Sequence, residues 1–494
     1  MAKVVELRIP INRVEGDLDI KITIKDGVIV DAKSIGTLYR GFENILKGRV
    51  PMDALVITPR VCGICSISHL LASVKALENA YGITPPIQAT RLRNLSIMAE
   101  NTQSDIRQVF LMFMADFSSE YYKDYDFHEI AKKYYEPIHG KLAKSLLMAT
   151  KDILKIIAYI GGQWPHTSHM VPGGLSVIAD DLEVLKIKYL IQSFKKWYET
   201  EVLKYKIEDF SKIDSYDKLE EFVNNNENSH ISIFTNIAKQ TNLFEIGKTS
   251  CGFINYGSID NEDGSYIPSG YYDNKLHPLD ISSITEDVTY SWFEGETLNP
   301  FDGITKPNAK KEHAYSFSKA PRYQEKVVQT GALGEELAIE NKLFVDLYNK
   351  FGDCVYVREL ARMLRPLRYI NLMQKEVNDI LSNLESPIYV KPTIRQNTQG
   401  YGLTHASRGA LGHWIKIKNG KIDNYQIISP TTWNGSPKDS KDNFGAWEEA
   451  LIGLKIKDTS NPIEMGHVIR SFDPCLVCTV HFIGDETKTI TLKA

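Results

Sequence analysis

Cysteine pairs at C-x-x-C spacing occur twice in this 494-residue chain, once near each end. The first lies in Arg60-Val61-Cys62-Gly63-Ile64-Cys65-Ser66-Ile67-Ser68-His69. The second lies in Asp473-Pro474-Cys475-Leu476-Val477-Cys478-Thr479-Val480-His481. Thiolates are soft ligands, and four of them select zinc, iron–sulfur or another thiophilic metal. Structural zinc is the commonest use of such pairs, but zinc ribbons separate them by roughly 15–20 residues. Here most of the protein intervenes, and a chain this long builds a core without a zinc staple. Each pair also carries polar neighbours, Arg60 and His69 on one side and Asp473 and His481 on the other, of the kind that tune a reactive metal. Spacing alone leaves zinc, iron–sulfur and other thiophilic metals open. Whichever is held, the fold must bring the two ends of the chain together around it.

The wording of the two motifs resembles the paired signatures of the large subunit of nickel–iron hydrogenases, R-x-C-G-x-C-x-x-x-H and D-P-C-x-x-C-x-x-H. The resemblance continues between them, in family order, over nearly the whole chain. Arg13-Val14-Glu15-Gly16 is similar to the family's R-x-E-G, and Arg40-Gly41-Phe42-Glu43 to its R-G-x-E. Gly162-Gln163-Trp164-Pro165-His166 with Pro172-Gly173-Gly174, Ala320-Pro321-Arg322-Tyr323, Arg408-Gly409-Ala410-Leu411-Gly412-His413-Trp414 and Pro430-Thr431-Thr432-Trp433-Asn434 follow. The two cysteine motifs carry most of the specificity. The wording of the second, Asp473 to His481, looks most like the cytoplasmic uptake and sensory branch.

The resemblance implies a catalytic subunit that splits dihydrogen reversibly into protons and electrons, in the uptake direction; the alternative is a dihydrogen sensor with little turnover. A respiratory-complex core subunit of related fold would lack the four cysteines. Splitting dihydrogen heterolytically needs a Lewis acid and a base for the proton. By resemblance, Cys62 and Cys475 are terminal nickel ligands, and Cys65 and Cys478 bridge nickel and an iron that carries carbon monoxide and cyanide. Arg408 matches the residue whose guanidinium fork serves the cyanide nitrogens, and Asp473 a carboxylate beside it. Glu15 matches the glutamate that exchanges protons with a cysteine ligand. His69 matches a hydrogen-bond donor at the site, not a ligand. Glu43 and His481 match ligands of a magnesium ion, which prefers oxygen. Two departures stand out: Ser407 precedes Arg408 where the family often has proline, and the sequence leaves open which residue of Gln103-Ser104-Asp105, if any, replaces a common acid.

The elements that must position these groups read as α+β, predominantly helical: a central bundle of long helices, an N-terminal hairpin and peripheral β structure. Leu18, Ile20, Ile22 and Ile24 alternate before Asp26-Gly27, which predicts a hairpin just after Glu15. Ile67, Leu70, Leu71, Val74 and Leu77 predict a helix that starts at the first motif and ends near Gly82. Its N-terminus favours thiolate over thiol at Cys62 and Cys65. Long helices are expected over 87–117, 142–160 and 181–206, and a helical block over about 334–384. The expected division is a hairpin region (1–35), the first motif with its helices (60–206), an irregular insertion with β runs in 251–310 (207–330), and a block of helices, hairpin and second motif (331–481). All form one interlocked domain. The asparagine cluster 224–228 reads as a surface loop, and Trp414–Ile428 as a hairpin turning at Asn419-Gly420.

Composition sets bounds. A 43% hydrophobic and 24% charged chain with formal net charge −4 is globular and has no basic surplus for nucleic acid or an anionic membrane. Six cysteines are no disulfide framework, and Cys251 and Cys354 read as buried, inert thiols. No apolar run reaches membrane-span length and the first residues lack signal-peptide character, so a cytoplasmic location is expected, with membrane association only through partners. Too few cysteines remain for an iron–sulfur cluster, so the resemblance implies an iron–sulfur small subunit, as a heterodimer alone or within a larger oligomer. It also implies maturation proteins and an endopeptidase that removes Phe482–Ala494 after His481.

Overall fold

The computed structural model describes residues 4–177 and 179–476. Cys478, His481 and the tail therefore lie outside the described residues. The predicted hairpin is present, with Leu18–Lys25 and Val28–Gly36 joined through Asp26 (φ 50°) and Gly27 (φ 82°). Both central residues take the positive φ that a tight hairpin turn requires. Val4–Pro10 adds a third antiparallel strand, which the alternation did not announce. Leu18, Ile20, Ile22 and Ile24 face the core.

The helix after the first motif spans Ser66–Tyr81 and stops at Gly82 in the left-handed conformation. Its buried stripe packs against strand Thr398–Ala406. The approach is close because Gly402 has no side chain: a β-carbon there would lie 1.9 Å from the carbonyl oxygen of Ala72. That strand belongs to an antiparallel sheet with Gly409–Lys418 and Lys421–Ile428. The turn between the last two falls at Asn419 (φ 50°) and Gly420 (φ 70°), as the sequence predicts.

The 27-residue helix Val355–Leu381 packs on Ile87–Arg107 and Asp181–Trp197. Several expected helices are more broken than the periodicity implied. The 87–117 segment is helical to Arg107, then runs through a π turn (Gln108–Phe113) and a 3₁₀ turn (Met114–Ser118). The 142–160 segment divides at Leu154, and 181–206 ends in a π turn, Tyr198–Leu203. The 334–384 block is three helices, Ala332–Ala338, Lys342–Phe351 and Val355–Leu381, separated where Glu340 and Gly352 take positive φ. Apolar periodicity survives such breaks, because each piece keeps a face on the same core.

The 207–330 segment is more regular than expected. Tyr216–Asn225 and His230–Gln240 are helices, so Asn224 and Asn225 close a helix rather than lie in a loop. Gly252–Asn261 and Gly264–Tyr272 form a long hairpin within a four-stranded sheet. Cys251 and Cys354 are buried, and burial pushes both thiols up, Cys354 to about 11. Among the described residues, no helix is long and apolar enough to cross a membrane.

Candidate metal centre

Two chain segments distant in sequence meet at the cysteines. Cys62 Sγ and Cys475 Sγ are 3.6 Å apart although 413 residues separate them. Cys65 joins them in one buried cluster. The first pair is placed by its helix: Cys65 is the residue before Ser66–Tyr81, and its N–H lies 3.4 Å from Cys62 Sγ. Glu100, fully buried on Ile87–Arg107, caps that helix by accepting from Ile67 N (2.8 Å), Ser68 N (3.0 Å) and Ser68 Oγ (2.9 Å). Burial is the main influence on its carboxyl and pushes it up to about 7 against those donors. Arg40 grips the same segment by donating to the carbonyls of Arg60 and Val61.

Cys475 is placed by distant partners. Cys475 N donates to Thr431 Oγ1 at 3.0 Å. Glu15 forms a parallel bridge with Cys475: Glu15 N donates to Pro474 O (3.3 Å), and Leu476 N donates to Glu15 O (2.6 Å). This bridge joins the start of the chain to its end and sets the Glu15 side chain beside the thiols. Burial raises the Glu15 carboxyl, with Arg408 acting to lower it and Cys62 and Asp473 to raise it.

Arg408 spans the cluster. Its Nη1 lies 3.1 Å from Cys65 Sγ, and its Nε donates to Asp473 O (3.0 Å) and lies 3.1 Å from Asp473 Oδ1. Burial acts to lower its pKa, but Asp473 and the three thiols hold it well above the usual guanidinium value. Asp473 sits at φ 54°, a conformation an L-residue avoids. Its Oδ2 is 3.6 Å from Arg362 Nη1. Arg362 in turn is 3.8 Å from Asp105, which Arg365 holds through two bonds of 2.6 and 2.8 Å. Of the undecided trio 103–105, Asp105 is thus the residue whose carboxylate reaches, through Arg362, the cation group around the thiols.

His69 is buried one turn into the helix, with Nδ1 3.1 Å from His413 Nε2; His413 Nδ1 pairs with Tyr425 Oη at 2.8 Å. Burial pushes His69 down to about 4, so it is neutral and carries a single ring proton. Glu43 lies on the short helix Phe42–Leu46. It accepts from Ile427 N (2.9 Å) and from Thr305 Oγ1, with Lys319 Nζ 3.8 Å away.

The donor set fits a thiophilic metal: three buried sulfurs, drawn from both ends of the chain, beside a fixed cation that balances thiolate charge. No three His, Cys, Asp or Glu side chains among the described residues form a group that could hold a metal ion by themselves, and the fourth thiol, Cys478, lies outside them.

A family model described as nickel-dependent hydrogenase matches residues 40–120 and 113–481. The chain belongs to the nickel-dependent hydrogenase family. It is a large subunit, and its family acts on dihydrogen as oxidoreductases. It is 33% identical to the periplasmic NiFeSe hydrogenase large subunit of Desulfomicrobium baculatum, over 97% of this chain and 95% of that protein. It is 28% identical to the hydrogenase-2 large chain of Escherichia coli K12, over 98% of both. The solved Ni-Fe-Se hydrogenase of D. vulgaris Hildenborough covers 97% of this chain and superposes with a TM-score of 0.82 at 29% identity. A mixed, helix-rich α/β hydrogenase fold and a nickel–iron centre follow from this membership, as does a small-subunit partner from the large-subunit status.

Sequence reasoning missed Arg40, Glu100, Arg362, His413 and Thr431 as parts of this hydrogenase site. Arg40, His413 and Thr431 stood in quoted motifs without an assigned contact. Glu100 had a detectable signal: it opens a run of polar residues, 100–105, that the helical pattern places inside.

Proposed function

We propose that this large subunit cleaves dihydrogen heterolytically in the uptake direction, at a centre held by Cys62, Cys65, Cys475 and Cys478. The observation that carries the reading is the 3.6 Å approach of Cys62 and Cys475 under the guanidinium of Arg408. When bound, the nickel–iron centre supplies the Lewis acid and the electron acceptor that the reaction needs. Arg408, its guanidinium fixed by Asp473, would offer N–H groups to cyanide nitrogens on a bound iron. Burying both charges costs desolvation that their attraction roughly offsets, so the pair serves the site more than net stability.

Glu15 is the base. Its backbone is bridged to the second motif, and burial raises its carboxyl, which suits a group that takes up and gives back a proton. His69, neutral and paired with His413, donates a hydrogen bond at the site. Glu43 and His481 would hold a magnesium ion; the oxygens of Glu43 suit a hard cation. We read the whole chain as one interlocked domain, with the long helices as a central bundle. Iron–sulfur clusters carried by the small subunit would take the electrons, and docking of that subunit would include the 161–174 segment. That segment is already tied to the first motif: Trp164 Nε1 donates to Glu100 (3.1 Å), and His166 Nδ1 lies 3.0 Å from Pro59 O. A maturation protease cuts between His481 and Phe482, which intact mass of the active enzyme would check.

The test is steady-state, dihydrogen-dependent dye reduction by the purified heterodimer, with infrared bands of metal-bound carbon monoxide and cyanide. Sustained turnover with those bands is expected. The bands with almost no turnover would replace the uptake reading by a sensor, and zinc without them would remove the reading altogether.

A further inference from the structure

Next to the Glu15 loop lies a charge cluster that plays no part in the chemistry described so far. Asp116, in the 3₁₀ turn Met114–Ser118, is only 1% exposed. Its two oxygens are taken by two different arginines. Arg13 Nη2 donates to Oδ1, and Arg470 Nη1 donates to Oδ2 at 2.5 Å. His467 Nδ1 lies 3.1 Å from the same Oδ2, and His467 Nε2 pairs with Tyr122 Oη at 2.6 Å. Arg470 also reaches the N-terminal loop directly, from Nε to Asn12 O at 3.2 Å.

These contacts join two segments that both lead to the metal centre. Arg13 is two residues before Glu15. Arg470 is near the end of helix Ile463–Ser471, three residues before Asp473. Arg13 has φ 53° and Gly16 has φ 82°, so the turn that aims Glu15 starts at a non-glycine residue in a conformation it would not choose alone. A buried ion pair holds it there. The two guanidiniums face one carboxylate, and neutralising that carboxylate would leave buried Arg470 and half-buried Arg13 with no anion between them.

We propose that Asp116 is a positioning residue for Glu15: by binding Arg13 and Arg470 together, it locks the 12–16 loop to the helix that feeds the second cysteine motif, and so fixes where the Glu15 carboxyl meets the thiols. The proposal rests on Glu15 being the proton carrier. Asp116 touches neither thiol nor substrate and acts only through the loop. Burial and the neighbouring Arg470 push Arg13 down to about 9, which leaves it a cation at neutral pH and the clamp intact.

A double-mutant cycle on the purified heterodimer tests this, with nickel content and dihydrogen–deuterium exchange rate as readouts. Asp116→Asn is expected to keep stoichiometric nickel while exchange falls at least tenfold, with Asp116→Glu restoring part of the rate. In a Glu15→Gln background, adding Asp116→Asn should change the rate by less than twofold, because the group it positions is already gone. Arg13→Gln serves as a second route to the same cycle. Equal fold-losses in both backgrounds would overturn the proposal while leaving the Glu15 assignment standing. A wild-type exchange rate in Glu15→Gln alone would overturn both. Loss of nickel in both Asp116→Asn and Arg13→Gln would also overturn it, in favour of a role in assembly.

Discussion

In the proposed centre the two cysteine segments do the same chemical job, and they are held by opposite strategies. Cys62 and Cys65 sit at the head of a 16-residue helix whose N-terminus is capped by Glu100. Their placement follows from local sequence plus one buried acid. Cys475, next to the last described residue, is held by Thr431, the Glu15 bridge and Arg408 through Asp473. A helix carries its own hydrogen-bond ladder; a residue held by an isolated bridge borrows its partners. A site assembled from one self-supporting and one borrowed segment can be completed late, when the borrowed one docks.

If both segments supply ligands to one metal, losing a thiol from either should have the same consequence despite the different scaffolds. Cys475→Ser and Cys62→Ser are each expected to give a folded chain with no nickel and no activity. Metal analysis and circular dichroism on the two variants check this. Stoichiometric nickel in one of them would break the symmetry and remove that cysteine from the ligand set.

Glu15 belongs to the borrowed side of the comparison and, in the proposed function, is its chemically active member. Glu15→Gln keeps the backbone bridge and the shape but removes the base. Dihydrogen–deuterium exchange should slow by about 10²–10⁴, the usual weight of a positioned acid–base group, with nickel retained. Exchange at the wild-type rate would reduce Glu15 to a strut for Cys475.

The difference in strategy also decides what could be read from the sequence. The helix over Ser66–Tyr81, its end at Gly82 and the hairpins at Asp26-Gly27 and Asn419-Gly420 are local, and periodicity and turn chemistry announce them. The site residues were legible through motifs, which name residue types but not contacts. Asp105 could not be picked out of its trio because its selection depends on Arg362 and Arg365, more than two hundred and fifty residues away. Strand Val4–Pro10 escaped because its pairing partner, not its own alternation, makes it a strand. The breaks at Leu154, Glu340 and Gly352 escaped because the apolar faces on either side stay continuous.

The self-supporting side makes its own prediction through pH. Glu100 is pushed up to about 7 in the fold, from an ordinary value near 4.5. A carboxyl raised on folding stabilises fully below the unfolded value, and that contribution is lost as pH rises through the folded one. Stability should therefore decline between about pH 4.5 and 7, by roughly 3 kcal/mol if the whole shift is realised. Glu100→Gln, which cannot ionise, should flatten that slope in thermal unfolding followed against pH. Parallel profiles for the variant and the wild type would mean that Glu100 is ionised throughout, its donors outweighing burial.

The smallest effect should come from the most delicate of the borrowed contacts. Thr431 is 2% exposed and presents its hydroxyl to Cys475 N. Thr431→Val keeps the volume and removes that acceptor, and a buried N–H deprived of its partner costs about 1–3 kcal/mol. Because Cys475 takes its described hydrogen bonds from distant parts of the chain, the cost should fall on metal retention rather than on global folding. Nickel remaining after challenge with a chelator should drop by a factor of roughly 5 to 150, the equivalent of that energy, while the unfolding midpoint barely moves. Thr431→Ser, which keeps the hydroxyl, should behave like the wild type. If Thr431→Val instead lowers the unfolding midpoint and leaves nickel retention unchanged, the second segment is held by the Glu15 bridge and Arg408 alone, and the contrast between the two segments is narrower than drawn.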